Sequence, residues 1–122
     1  MVRDFRDLDV WKKAFELAKE IQSVTVGFPK EEMYGLTSQL RRAAVSIFSN
    51  IAEGCGKRTS RDFVSFLYNA MGNVREAETQ ILFAGEIGYL EKVKVDELMK
   101  ELNNLGRMLN RFIGYVSGLG VK

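Results

Sequence analysis

The chain has 122 residues, eighteen Lys and Arg against sixteen Asp and Glu for a net charge of +2, no histidine and one cysteine. That length suits one domain around a single core, and the near balance of charge excludes naming a nucleic-acid or membrane partner from charge alone. The lone Cys55 excludes an intrachain disulfide and a thiolate-cluster metal site, and the missing histidine removes the commonest general base and every Ser-His or Cys-His nucleophile, so no cofactor and no metal is expected.

The opening stretch Val2–Asp9 is charged, unlike a signal peptide, and no apolar run approaches the roughly 20 residues that span a bilayer. A cytoplasmic protein without a membrane partner or a small-molecule substrate is the expectation. Helix one is predicted over Leu8–Val26, with Asp7 as N-cap and Gly27 before Phe28 and Pro29 as the stop. Its apolar positions Val10, Trp11, Ala14, Phe15, Leu17, Ala18, Ile21 and Val24 cover more than the roughly 100° stripe that one core requires. The excess points to a second apolar neighbour, for which Trp11 is an anchor.

Pro29, Lys30, Glu31 and Glu32 form a short solvated turn, and helix two begins near Leu36 or Thr37. From Val45 to Ile51 every residue is a middling or poor helix former, each costing roughly 0.3–0.7 kcal/mol relative to Ala, so tertiary contacts must hold the segment. At a 3.6-residue period it divides into a core strip of Leu40, Ala44, Ile47 and Ile51, a polar strip of Gln39, Arg42, Ser46, Asn50 and Glu53, and an apolar strip of Val45, Phe48 and Ala52. A short buried strand through Ala44–Phe48 competes. Gln39–Ala44 before it and Ala52–Glu53 after it favour helix, stopped by Gly54 or Gly56.

Lys57 and Arg58 occupy a basic loop, and Thr59, three residues ahead of Asp62, caps helix three. Phe63, Leu67, Ala70, Val74, Ala77, Ile81 and Ala84 keep a three-four alternation over about 25 residues, roughly 38 Å of helix ending at Gly85, Gly88 and Tyr89. Helix four repeats the seam with Val95, Leu98, Leu102, Leu105, Leu109, Phe112, Val116 and Leu119, ending at Gly118 and Gly120. Four such helices on short connections predict an all-α, antiparallel up-and-down four-helix bundle. Gly72, Gly106 and Gly114 inside helices mark either close helix approach or tolerated surface positions.

The strongest functional pattern is the helix-two polar strip, because Gln39, Arg42, Ser46, Asn50 and Glu53 are not the Lys/Glu mixture of a solvated face. Glu78 of helix three is expected to meet Arg42 or Asn50 in a partly buried polar seam, the alternative being a solvated face with no specific network. Arg41, Arg42, Lys57, Arg58 and Arg61 are a local basic excess able to touch phosphate, extended by Arg107, Arg111 and Lys122 if these share one face, although no stacking aromatics are interleaved. Glu76 and Glu78, two apart on a helix, point in different directions and make no acid/base pair, so no catalytic site is expected. Trp11, Val45, Phe48 and Ala52 are the candidate subunit contact.

Phe5-Arg6-Asp7-Leu8 with Val10-Trp11, Phe28-Pro29-Lys30-Glu31-Glu32 with Tyr34 to Gln39, Arg41 to Ile47, Ser49 to Gly54, Phe63, Phe66-Leu67, Glu76 and Glu78-Thr79-Gln80 together resemble the 23S rRNA intervening-sequence protein family. The family commonly carries Pro where this chain has Phe48, so a kink in helix two is not expected here. The resemblance implies a left-handed antiparallel four-helix bundle that assembles as a homo-oligomer, a pentamer, without established catalytic activity. It also implies a second role, since relatives are RNA- or DNA-binding accessory proteins of retroelement reverse transcriptases.

Overall fold

Hydrophobic periodicity decides this fold against weak local propensity. The computed structural model describes residues 4–119, which form α1 (Asp9–Val24), α2 (Leu36–Cys55), α3 (Ser60–Glu86) and α4 (Lys92–Leu119), with 3₁₀ turns at Phe5–Asp7, Thr25–Gly27 and Lys30–Glu32. No strand occurs among the described residues, so the Val45–Ile51 segment is helical despite its composition. Leu40, Ala44, Ile47 and Ile51 are the reason, each 2 % exposed or less within the core. α2 packs on α3 and α1, α3 on α4, and α1 closes on α4, the neighbour order of an antiparallel up-and-down four-helix bundle.

The ends of the helices refine the sequence expectations. α1 starts at Asp9 with Leu8 at its N-cap and no side-chain cap; Asp7 belongs to the preceding 3₁₀ turn, which Asp4 caps by accepting from the Arg6 amide. Burial of Leu8 in extended backbone holds that entry, where the sequence suggested an Asp7 cap. At its other end α1 tightens into a 3₁₀ turn at Thr25, whose hydroxyl donates to the Ile21 carbonyl at 2.8 Å. Thr59 caps α3 as expected, its hydroxyl oxygen accepting from the Asp62 amide at 3.1 Å.

α3 ends in a Schellman motif: the Tyr89 amide donates to the Ala84 carbonyl at 2.8 Å and the Gly88 amide to the Gly85 carbonyl at 3.2 Å, around Gly88 at φ +87°. The seam of α4 is as predicted from Val95 to Val116, except that Phe112 is half-buried and Ile113 shares its place in the core. Gly118 lies within α4, while the Leu119 side chain, Gly120 and Lys122 fall outside the described residues.

Of the two readings that the sequence left open for the interior glycines, close helix approach does not apply. A Cβ at Gly72 or Gly114 would meet nothing within 4 Å, and one at Gly106 only the Arg75 guanidinium at 3.9 Å. The tight crossings are Gly54, where a Cβ would stand 2.8 Å from Phe63 and Phe66 atoms of α3, and Gly85, where it would stand 2.7 Å from Val95 of α4.

Candidate functional site

The outer surface of α1 and α2 gathers four aromatic rings into one partly exposed cluster. Trp11 and Phe15, four apart on α1, stack at 4.7 Å, and Phe48 of α2 meets them edge-on at 6.3 and 5.2 Å, with Phe5 closing the cluster against Trp11 at 5.1 Å. Phe15 is 37 % exposed and Val45 46 %, while Trp11, Phe48 and Ala52 are half-buried. Phe15, Ala18, Lys19, Gln22, Val45 and Phe48 line an open groove of about 300 Å³. The buried Trp11 Nε1 has no hydrogen-bond partner among the described residues, an N–H that lacks the acceptor such a group ordinarily finds. The third strip of α2 and the surplus of α1 thus form one surface, and sequence reasoning named Trp11, Val45, Phe48 and Ala52 for it but not Phe5 or Phe15.

The polar strip of α2 is graded. Gln39, Arg42 and Glu53 are exposed, whereas Ser46 and Asn50 are half-buried. Asn50 Nδ2 donates to Asn73 Oδ1 of α3 at 2.8 Å, and Gln80, two turns further along the same flank of α3, has a buried Oε1 without a partner. The expectation that Glu78 meets Arg42 or Asn50 is wrong. Glu78 is buried, 7 % exposed, but its Oε1 accepts from Arg75 Nη1 of its own helix at 2.7 Å, and Arg75 lies against Gly106 of α4. Three residues separate Arg75 from Glu78, which puts both on the α4 flank of α3, away from the flank of Asn73. The other Glu78 oxygen, Oε2, is buried without a partner. Asn73 was legible in principle, since an amide between the core positions Ala70 and Ala77 of a helix invites a question about its partner.

The basic residues do not gather into one patch. Arg41 Nε donates to Thr25 Oγ1 at 2.8 Å and its Nη2 to the Gln22 carbonyl at 3.4 Å, pinning α2 to the end of α1. Arg41 is fourteen residues from Cys55 on α2, about 21 Å along the axis from the loop that carries Lys57 and Arg58. Lys57 Nζ sits 4.9 Å from the centroid of the Phe66 ring, and Arg58 and Arg61 are exposed. On α4, Arg107 donates to Asn104 at 2.8 Å, and Arg111 borders a cleft lined also by Asp7 and Asp9. Arg58 and Arg61, like Arg42, Lys57, Arg107 and Arg111, are exposed cations without an ion pair among the described residues.

At the opposite end, Glu32 ties two connections together. Its Oε1 accepts from the Leu36 amide at 3.1 Å, and its Oε2 accepts from the Tyr89 hydroxyl at 2.9 Å, which holds the Tyr89 proton above the ordinary phenol range. Cys55 is buried at the last position of α2, and burial pushes its thiol pKa up, away from a reactive thiolate. No group of three or more His, Cys, Asp and Glu among the described residues is arranged to hold a metal, and no helix is long and apolar enough to cross a membrane.

Among solved structures, a protein of unknown function from the S23 ribosomal protein family of Bacteroides thetaiotaomicron superposes with a TM-score of 0.77 at 20 % identity, covering 85 % of this chain and 97 % of that one. At that identity the likeness concerns the fold. No curated protein matches the sequence. The model of the 23S rRNA-intervening sequence protein family matches residues 6–111, which takes in the aromatic surface apart from Phe5, the Asn50–Asn73 seam and the Glu32 clamp, and the chain belongs to that family.

Proposed function

We propose that this chain is a non-enzymatic, self-assembling helical bundle that acts as a binding or scaffold module, its copies associating through the surface formed by Trp11, Phe15, Val45, Phe48 and Ala52. The observation that carries the reading is the aromatic cluster itself. Rings that stack on one another are left partly in water beside an apolar groove. Covering such a surface stabilises by about 25 cal/mol per Å² of apolar area, and a second copy is always present to cover it. Five copies is the number that the family resemblance implies. The non-enzymatic part rests on the absence of histidine and of a paired general acid and base in the sequence. Light scattering on the purified protein tests the assembly, and a single-chain mass at micromolar concentration would refute it.

A second reading, RNA or DNA binding, is favoured by Arg58 and Arg61, exposed at the α2–α3 end without an ion pair among the described residues. Repetition of that loop around an oligomer would multiply a modest local field. Affinity for RNA and DNA that falls steeply with salt and drops on Arg58→Ala with Arg61→Ala supports it; no binding at low salt refutes it.

A further inference from the structure

We infer that the end of the bundle carrying the α1–α2 and α3–α4 connections is a docking surface for a different protein, which it takes through a segment of Arg or Lys residues interleaved with apolar ones. The surface lies at the ends of the helices, apart from the α1–α2 face assigned to self-assembly, so neither reading depends on the other. Its base is held together. The Tyr89 hydroxyl donates to Glu32 at 2.9 Å, the Tyr89 ring meets Phe28 at 5.4 Å, and Glu32 accepts from the Leu36 amide at 3.1 Å, which binds the two connections to each other and to the start of α2.

On that base large apolar side chains stand in water. Tyr34 is 97 % exposed, Val26 74 % and Val93 69 %, and Met33 and Ile87 of the same two connections are exposed as well. The Gly35 amide donates to the Glu32 carbonyl at 2.9 Å, which fixes the turn that presents Tyr34. A tyrosine carried on a fixed turn offers a ring for apolar contact and a hydroxyl for a hydrogen bond, the combination favoured at protein contacts. Between the last turn of α3 and the first of α4, Leu82, Gly85, Glu86, Lys92, Val95 and Asp96 line a cleft of about 270 Å³. Its apolar walls at Leu82 and Val95 suit the aliphatic stem of a Lys or Arg side chain, and its carboxylates at Glu86 and Asp96 suit the cationic head.

Charge decides the kind of partner. Residues 25–35 and 86–97 hold six acidic side chains against three basic, in a chain whose net charge is +2. Lys92 and Lys94 are paired with Asp96 and Glu97. Glu31, Glu86 and Glu91 have no ion pair among the described residues, with Lys30 as the one unpaired cation beside them. Such an end repels nucleic acid, anionic lipid headgroups and the same end of a second copy. The α2–α3 connection of a second copy has the right sign at Lys57 and Arg58, but residues 56–62 contain no large apolar side chain to cover Tyr34, Val26 and Val93. A segment of another protein that is both basic and apolar meets both demands.

Selection of random peptides displayed on phage against the purified protein tests the inference, followed by fluorescence anisotropy with the most enriched peptide made synthetically. The enriched sequences are expected to combine Arg or Lys with apolar residues and to carry a net positive charge. Affinity for the synthetic peptide is expected to fall about ten-fold in the double variant Glu31→Lys with Glu86→Lys, and about ten-fold in Tyr34→Ser with Val93→Ser. All four positions are exposed, so helical circular dichroism stays at the parent value in both. No enrichment, enriched peptides without a positive charge, or an affinity indifferent to either double variant overturns the inference. Light scattering on the same variants separates the two surfaces: an oligomer mass unchanged in both supports a docking end distinct from the assembly face. A mass that falls in Tyr34→Ser with Val93→Ser makes a second copy the occupant and overturns it, whereas a monomeric parent that still binds the peptide refutes the self-assembly reading alone.

Discussion

Replacing Gly54 by Ala pits two effects of known size against each other. Ala is favoured over Gly inside a helix by about 1 kcal/mol, so propensity alone predicts stabilisation. Against this, the added Cβ would stand 2.8 Å from Phe63 Cδ1, 2.8 Å from Phe66 Cβ and 3.2 Å from the Phe63 carbonyl oxygen. Two of those atoms belong to the frame of α3 and cannot rotate aside. Phe63 is fully buried and edge-on to Phe112 at 5.6 Å, so its ring has nowhere to go. The helices must separate, and overpacking of this kind costs about 1–3 kcal/mol. Gly54 is one residue from the end of α2, where the propensity gain is at its smallest, so a net loss of about 1–2 kcal/mol is expected. Gly114 supplies the control, since a Cβ there meets nothing within 4 Å and Gly114→Ala should stabilise by up to about 1 kcal/mol. Urea unfolding followed by circular dichroism, at one protein concentration for all variants, reads both changes as midpoint shifts of opposite sign at unchanged slope. A Gly54→Ala midpoint at or above the parent value would refute the close-approach argument.

Two further outcomes follow from the caps and clamps. Thr59→Ala removes the acceptor for the Asp62 amide and should lower stability by about 1 kcal/mol in the same assay, with Thr59→Ser near the parent value. Tyr89→Phe removes the hydroxyl that donates to Glu32 and should lower the thermal midpoint at neutral pH. The hydrogen bond to Glu32 first, and burial second, raise the Tyr89 pKa above its ordinary value, so the folded state holds this proton more tightly than the unfolded chain. Its contribution is therefore complete below about pH 10 and is lost as pH rises through the folded value, and the gap between parent and Tyr89→Phe should close over that range in a pH series of thermal melts.

The bundle was legible because its signal is periodic and redundant: one mispositioned residue in the Phe63–Ala84 or Val95–Val116 seam does not change which face is buried. Val45–Ile51 shows the limit of propensity as a guide, since four core residues of α2 override seven poor helix formers. Partners across helices were far less legible. Glu78 was read correctly as a buried carboxylate, yet its partner is Arg75 on its own helix, because a wheel that ranks residues by burial leaves open which of two flanks faces which neighbour. Arg41 failed for the same reason: adjacent in sequence to Arg42, it turns toward Thr25 while Arg42 faces outward. Gly54 and Gly85 were read as helix stops because their role depends on the bulk of Phe63, Phe66 and Val95, residues distant in sequence or on another helix. The surface aromatic residues of α1 and α2 were predicted as a surplus of apolar positions, and the structure gathers them.

The central claim is that the α1–α2 aromatic surface joins copies of this chain. Multi-angle light scattering on the purified protein at micromolar concentration, beside Val45→Glu, tests it most directly, because Val45 is 46 % exposed and a charge there leaves the fold of one chain intact. The parent should have a mass several times 13.9 kDa, about five times if the family number holds, and Val45→Glu should move toward 13.9 kDa with its helical circular dichroism unchanged. A parent mass of 13.9 kDa, or an oligomer indifferent to Val45→Glu, would contradict the account.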